Sequence, residues 1–267
     1  GRIELVSIMY FVVLLSALVV CAAGVPVDSA KPGIDTRFVG DSAADITNFP
    51  YQLSLRYDEF HWCGAAIIST SWAVTAAQCV DGEDDISLFT VRAGSTNVDD
   101  GGTIHRVTRV IKHENFNSDK NDYDIALLKV SPAFTYTTSV KNVALQETTV
   151  SAATKATVTG WQTTSEDVDV CPLPNLRQVV LQIQSDTTCQ SVYWQDKRKD
   201  VTPRMICAGT SAGGKGACEE DIGAPLVAKD KLVGIASWSN GCGEARYPGV
   251  YTKISALRDW IRTKSGV

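Results

Sequence analysis

Short stretches rich in β-branched and aromatic residues recur between turn residues over most of the chain, at 51–57, 65–68, 89–93, 107–111, 125–130, 155–159, 179–183, 232–238 and 249–254. Side chains of this kind suit a pleated, half-buried surface, and segments this short at this spacing predict an antiparallel all-β architecture. With 267 residues, 44% of them hydrophobic, the chain is long enough for a sizeable core in one or two domains. The end is different. Ile254, Leu257, Trp260 and Ile261 recur at helical spacing, with Arg258, Arg262 and Lys264 on other faces, which predicts a short terminal helix packed by its apolar stripe. The polar stretch 138–152 reads as the join between two roughly equal halves, and no internal repeat is present.

An apolar run over 11–23, broken only by Ser16, ends in the small residues Ala22, Ala23 and Gly24. A spanning helix needs about 20 apolar residues, whereas a signal-peptide core needs roughly 7–15. Residues 1–24 are therefore read as upstream sequence followed, from Met9, by a signal peptide, and the protein as secreted and extracellular, with no membrane attachment. Export permits disulfides, and of the eight cysteines Cys21 leaves with the signal. No Cys/His spacing suggests a zinc site, and neither a metal nor a cofactor is expected. The formal charge is −5, and removing residues 1–37 takes away three basic and three acidic residues. An acidic chain without a basic run has no electrostatic basis for binding nucleic acid.

Several blocks together carry a family resemblance. They are Arg37-Phe38-Val39-Gly40-Asp41, Trp62-Cys63-Gly64-Ala65, Ser71 to Cys79, Asn121 to Leu128, the loop 218–227 (CEEDIGAPLV), Gly234 to Trp238, and Tyr247 to Tyr251. In this order they resemble the chymotrypsin/trypsin-like serine proteases, over effectively all of 38–267. The resemblance implies two six-stranded antiparallel β-barrels with an active site between them, a propeptide at 25–37, and activation by cleavage after Arg37. The new amine of Phe38 would then meet Asp221. It also implies the disulfides Cys63–Cys79, Cys189–Cys207 and Cys218–Cys242. Cys171 is left over, either as a buried thiol in a monomer or as a link in a disulfide dimer. The turn from Asn97 to Gly102 offers too few oxygen ligands for the calcium loop of some relatives.

Serine protease chemistry needs a nucleophile, a base, an orienting carboxylate and donors for the oxyanion. Asp124 stands at the carboxylate position. Gln78 stands at the position of the histidine base, and an amide has no nitrogen that titrates near neutral pH. Ile222 stands at the position of the serine. Glu220 takes the place of a glycine that lends its N–H to the oxyanion, where a side chain strains the backbone and its charge opposes the oxyanion. By resemblance Gly216 and Ala217 lie at the base of the specificity pocket, where trypsin-like members carry an aspartate and a serine. Ser237, Trp238 and Ser239 line its wall, Ser239 replacing a glycine, and Glu219 adds charge at the rim. The three histidines, His61, His105 and His113, are read as structural.

The sequence thus leads us to expect no enzyme. The implied protein is a secreted, inactive homologue most similar to the mite group 3 allergen proteases and the inactivated protease paralogues of the scabies mite. That finer resemblance implies binding to host proteins, complement components first, as interference with defence. Two other readings stay open: a cofactor, adaptor or decoy for active proteases, and a serine endopeptidase of weak activity or altered specificity.

Overall fold

The structure, a computed structural model, describes residues 42–161, 174–197, 199–210, 222–241, 243–244 and 246–267, all of them in the unit Thr36–Val267. The first half contributes β1 (Ser42–Ala43), β2 (Gln52–Tyr57), β3 (Phe60–Ile67), β4 (Trp72–Thr75), β5 (Phe89–Ala93), β6 (Thr103–Lys112) and β7 (Ala126–Ser131). Antiparallel pairing in the order β2-β3-β4-β7-β6-β5 closes on itself where Leu53 of β2 meets Ala93 of β5. Closure removes the free edges an open sheet would present.

The second half contributes β8 (Ala144–Leu145), β9 (Lys155–Gly160), β10 (Arg177–Ile183), β11 (Met205–Gly209), β12 (Pro225–Ala228), β13 (Lys231–Trp238) and β14 (Gly249–Lys253). Here β9-β10-β11-β14-β13-β12 forms the second ring, sealed where Leu226 of β12 pairs with Val158 of β9. Strand β1 reaches across to pair with β10, and β8 lies parallel to β13. The expected pair of six-stranded barrels is therefore present among the described residues.

Strand alternation explains the cores. In β5, Phe89, Val91 and Ala93 are buried while Thr90 and Arg92 are partly exposed. Strand β2 departs from this pattern: Gln52 and Ser54 are buried although polar. They lie where the first barrel meets other structure, and each has a partner. Thr159 Oγ1 of β9 donates to Gln52 Oε1 at 2.5 Å, and Ser54 Oγ lies 2.7 Å from His61 Nδ1. Such pairing is what makes a buried polar face tolerable.

Two α-helices complete the fold among the described residues, α1 (Asp186–Lys197) and α2 (Arg258–Ser265). Helix α2 is the expected terminal helix, ended by Gly266 in the left-handed conformation at φ 78°. Although last in sequence, it packs on the first barrel. Leu257 and Ile261 join the same apolar cluster as Leu55, Val74 and Leu127. Trp260 stacks on His113 with ring centroids 4.8 Å apart and donates to Glu114 Oε2 at 2.7 Å.

Candidate active site

The site is assembled from four separate pieces of chain. Gln78 lies on a single 3-10 turn, Ala77–Cys79, at the end of β4. That turn is fixed by the Cys63–Cys79 disulfide and by Trp62 Nε1, which donates to Cys79 O at 3.0 Å. Asp124 sits at the centre of a tight turn in which Ile125 N donates to Tyr123 O at 2.8 Å. Tyr123 itself has φ 54°, an uncommon conformation for a bulky residue and one found where surrounding contacts enforce it. His113 and Arg204 pack on its ring. Next to it, Asp122 accepts from Thr202 Oγ1 at 2.8 Å and from Arg204 Nε at 3.2 Å, tying this turn of the first barrel to the second.

Asp124 is fully buried. Its Oδ1 accepts the Gln78 backbone N–H at 3.0 Å, and its Oδ2 accepts from Ser237 Oγ at 2.6 Å and from Gln78 Nε2. Its backbone carbonyl accepts from Thr252 Oγ1 at 2.6 Å. Burial pushes the Asp124 carboxyl above the usual range, and the donors from Ser237 and Gln78 pull the other way. The same Gln78 Nε2 also donates to Ser237 O at 2.8 Å. Two acceptors thus fix which end of the Gln78 amide is nitrogen, and both its protons point into the protein.

Ile222 is placed by two glycines. Gly64 N donates to Ile222 O at 2.9 Å, and a Cβ on Gly64 would fall 2.6 Å from Ala224 Cα. Gly223 has φ +83°, and a Cβ there would fall 2.2 Å from Gly64 O and 2.5 Å from Thr75 Oγ1. Only residues without Cβ let the loop of the second barrel lie this close on β3. Ile222 then packs, half-buried, against the apolar cluster of the first barrel.

Gln78, Asp124 and Ser237 are therefore brought together as one hydrogen-bonded group. Ser237, expected in the wall of the specificity pocket, turns its hydroxyl onto Asp124. A lone hydroxyl in the apolar strand sequence LVGIASW was the available signal for that role; the Thr252 contact had none. Trp238 is buried against Tyr193, ring centroids 4.7 Å apart, and Ser239 Oγ is buried without a partner among the described residues. His61 and His105 are tied to Ser54 Oγ and Pro132 O, each at 2.7 Å, so both serve the scaffold. The Cys63–Cys79 and Cys189–Cys207 bridges are present. Arg37, Phe38, Cys171, Gly216, Ala217, Cys218, Glu219, Glu220, Asp221 and Cys242 lie outside the described residues, as do the signal and propeptide segments.

Two closed antiparallel barrels holding a buried, multiply hydrogen-bonded aspartate where they meet define the class of the chymotrypsin-like serine proteases. Within that class the chain belongs to the trypsin family: the family model described as Trypsin matches residues 38–261. Trypsin delta of Drosophila melanogaster is 37% identical over 251 residues, covering 94% of this chain and 97% of the relative. Hypodermin-B of Hypoderma lineatum is 39% identical over 250 residues, covering 93% and 96%. Trypsin alpha-4 of Lucilia cuprina is 38% identical over 252 residues, covering 94% and 96%.

These comparisons correct the expectation that the chain is no enzyme. Relatives named as trypsins match it almost end to end, and that places it with the serine proteases. They also correct the finer resemblance: the relatives named above are fly proteins and not mite allergens, and they lend no support to the complement reading built on the mite likeness. Gln78 and Ile222 remain facts of this chain and bear on the strength and route of its chemistry.

Proposed function

We propose that the protein is a secreted serine endopeptidase homologue of weak activity and altered specificity. The observation that carries this is the trypsin match across residues 38–261 together with the intact clamp on Asp124. Gln78 can hold a hydrogen bond but cannot shuttle a proton, and Ile222 cannot form an acyl-enzyme. Losing nucleophile or base costs about 10⁶-fold in turnover in a well-studied serine protease, about 8 kcal/mol of transition-state stabilisation. With an intact oxyanion hole, binding and backbone donors alone still leave roughly 10³–10⁴-fold over the uncatalysed reaction; Glu220 at the donor position lowers that ceiling here, which is why the activity is weak. The proposed route is direct attack of water on a bound, polarised peptide carbonyl: the water oxygen bonds to carbon, the C–N bond breaks, and the leaving amine takes the proton. Gly216 and Ala217 give basic side chains no counter-charge, which favours uncharged residues at the scissile position.

The test is turnover of quenched peptides carrying Arg, Lys, Leu or Phe, by purified protein cut after Arg37. A mock preparation lacking the chain is run beside it. Slow turnover that favours Leu or Phe and survives serine-directed fluorophosphonates supports the proposal. Rates equal to the mock preparation for every peptide would sink it. The doubly engaged Gln78 amide favours a second reading, in which the protein works by holding a polypeptide, as an adaptor or decoy for active proteases.

A further inference from the structure

Tyr123 precedes the clamped Asp124 in a conformation that a tyrosine does not favour. Asn121 also has positive φ, 49°, but asparagine tolerates the left-handed region. At φ 54° the bulkier side chain of Tyr123 crowds its own backbone. Such a residue persists only where its surroundings over-determine it. Backbone bonds supply part of that constraint: Ile125 N donates to Tyr123 O at 2.8 Å, and His113 N donates to Ile125 O at 3.1 Å. The rest comes from what grips the ring.

Four flat groups from four segments of chain touch one after another. Trp260 of α2 stacks on His113, centroids 4.8 Å apart and planes 28° apart. His113 meets Tyr123 at 4.6 Å and 33°, and the Arg204 guanidinium stands 4.8 Å from the centre of the Tyr123 ring. Both ends are pinned. Trp260 Nε1 donates to Glu114 Oε2 at 2.7 Å, and Lys264 of the same helix reaches Glu114 Oε1 at 3.3 Å. Arg204 pairs with Asp122, the neighbour of Tyr123. In the middle, His113 is buried, and its Nδ1 accepts from Asn115 N at 3.1 Å. Burial holds its pKa below the usual imidazole value, so a neutral plane lies against the two aromatic rings.

We propose that Trp260 and His113 are positioning residues for Asp124. Through the ring of Tyr123 they hold the left-handed turn, and the turn aims the Asp124 carboxylate at the N–H groups of Gln78. Helix α2 thereby sets the geometry of a site in which none of its own residues takes part. This positioning bears on catalysis only through the endopeptidase reading above and rests on it to that extent. Without the Trp260 plane, His113 loses one of its two walls and Tyr123 is free to relax toward negative φ. The peptide unit joining Tyr123 to Asp124 then rotates, and Asp124 Oδ1 draws away from Gln78 N, which it now meets at 3.0 Å.

The test follows amide hydrogen exchange and amide proton shifts by NMR in the isotope-labelled, folded protein. Gln78 N–H reports the clamp, and the amides of β5 report opening of the first barrel as a whole. Trp260→Ala should speed exchange at Gln78 at least about tenfold more than in β5, and its amide proton should move upfield as the bond to the carboxylate lengthens. Trp260→Leu, which keeps apolar cover without a flat face, should do the same and serves if the alanine variant does not fold. Trp260→Phe keeps a ring and loses only the bond to Glu114, so it should stay close to the parent. Val107→Ala, buried elsewhere in the same barrel, should speed Gln78 and β5 alike. In a Tyr123→Gly background, where glycine takes positive φ without strain, Trp260→Ala should lose its selective effect on Gln78. Equal acceleration at Gln78 and in β5 on removing the Trp260 ring would overturn the proposal. So would a Trp260→Phe protein whose Gln78 exchanges as fast as in Trp260→Ala. No substrate enters these measurements, so a chain without turnover and a chain without this positioning give separate results.

Discussion

Replacing Gln78 by Leu should loosen the site without touching the rest of the fold. The side-chain amide meets two buried acceptors, Asp124 Oδ2 and Ser237 O. A hydrogen bond to a charged group contributes about 1.5–3 kcal/mol, and an orphaned buried carbonyl adds about 1. The expected loss is about 3 kcal/mol, or roughly 6–12 °C in Tm for a chain of this size. Gln78→Glu supplies a stronger test, because it sets a second carboxylate against Asp124, whose pKa burial already raises. A raised folded-state pKa means the folded protein binds more protons than the unfolded chain, so stability is present at low pH and falls as pH rises. Gln78→Glu should therefore be far less stable than its parent at pH 8 and recover much of the difference near pH 5. Urea titrations at both pH values measure this. A Gln78→Leu loss below about 0.5 kcal/mol, or a Gln78→Glu pH–stability curve parallel to the parent's, would refute the clamp.

Other outcomes follow from the same geometry. Burial, with Arg56 nearby, lowers the His61 pKa to about 4. Its contribution, about 3 kcal/mol at full amplitude, should be complete above pH 6.5 and be lost as pH falls through 4, and His61→Asn should flatten that limb of a urea-midpoint curve. Gly223→Ala meets Gly64 O and Thr75 Oγ1 in a left-handed conformation, and thermal melts should show it at least about 3 kcal/mol less stable. Gln78→His with Ile222→Ser restores base and nucleophile, and kcat/KM on peptide substrates should rise at least about 100-fold over the parent. An unchanged rate would mean that Glu220 or Ser239 closes the cleft to chemistry.

Strand positions were legible because burial on one face leaves alternation in the sequence, as in β5 and in β9 with Ala156 and Val158 inside. Strands β4, β11 and β12 were not singled out, since they are short and buried almost throughout, without alternation. Helix α1 was hidden for the opposite reason. It buries only Cys189 and Tyr193, so no apolar stripe betrays it. The site residues Gln78, Asp124 and Ile222 were found through the blocks that surround them. What each does is set by partners remote in sequence: Ser237 lies 113 residues from Asp124 and 159 from Gln78. No local pattern carries such a contact. The activity expectation failed differently, because two substituted positions were given more weight than similarity along the whole chain.

Helix α2 gives this molecule a particular order of events during synthesis. A polypeptide emerges from the ribosome N-terminus first, and domains generally fold as they appear. Here the earlier barrel lacks part of its own core, since Ile254, Leu257 and Ile261 are contributed by the closing residues. Nascent chains must therefore hold that half unsealed through translation of the entire second half, and complete it only once residues 254–261 have emerged. A chain cut before Ile254 would yield a first barrel with its apolar interior open to solvent, a ready substrate for chaperones and quality-control proteases.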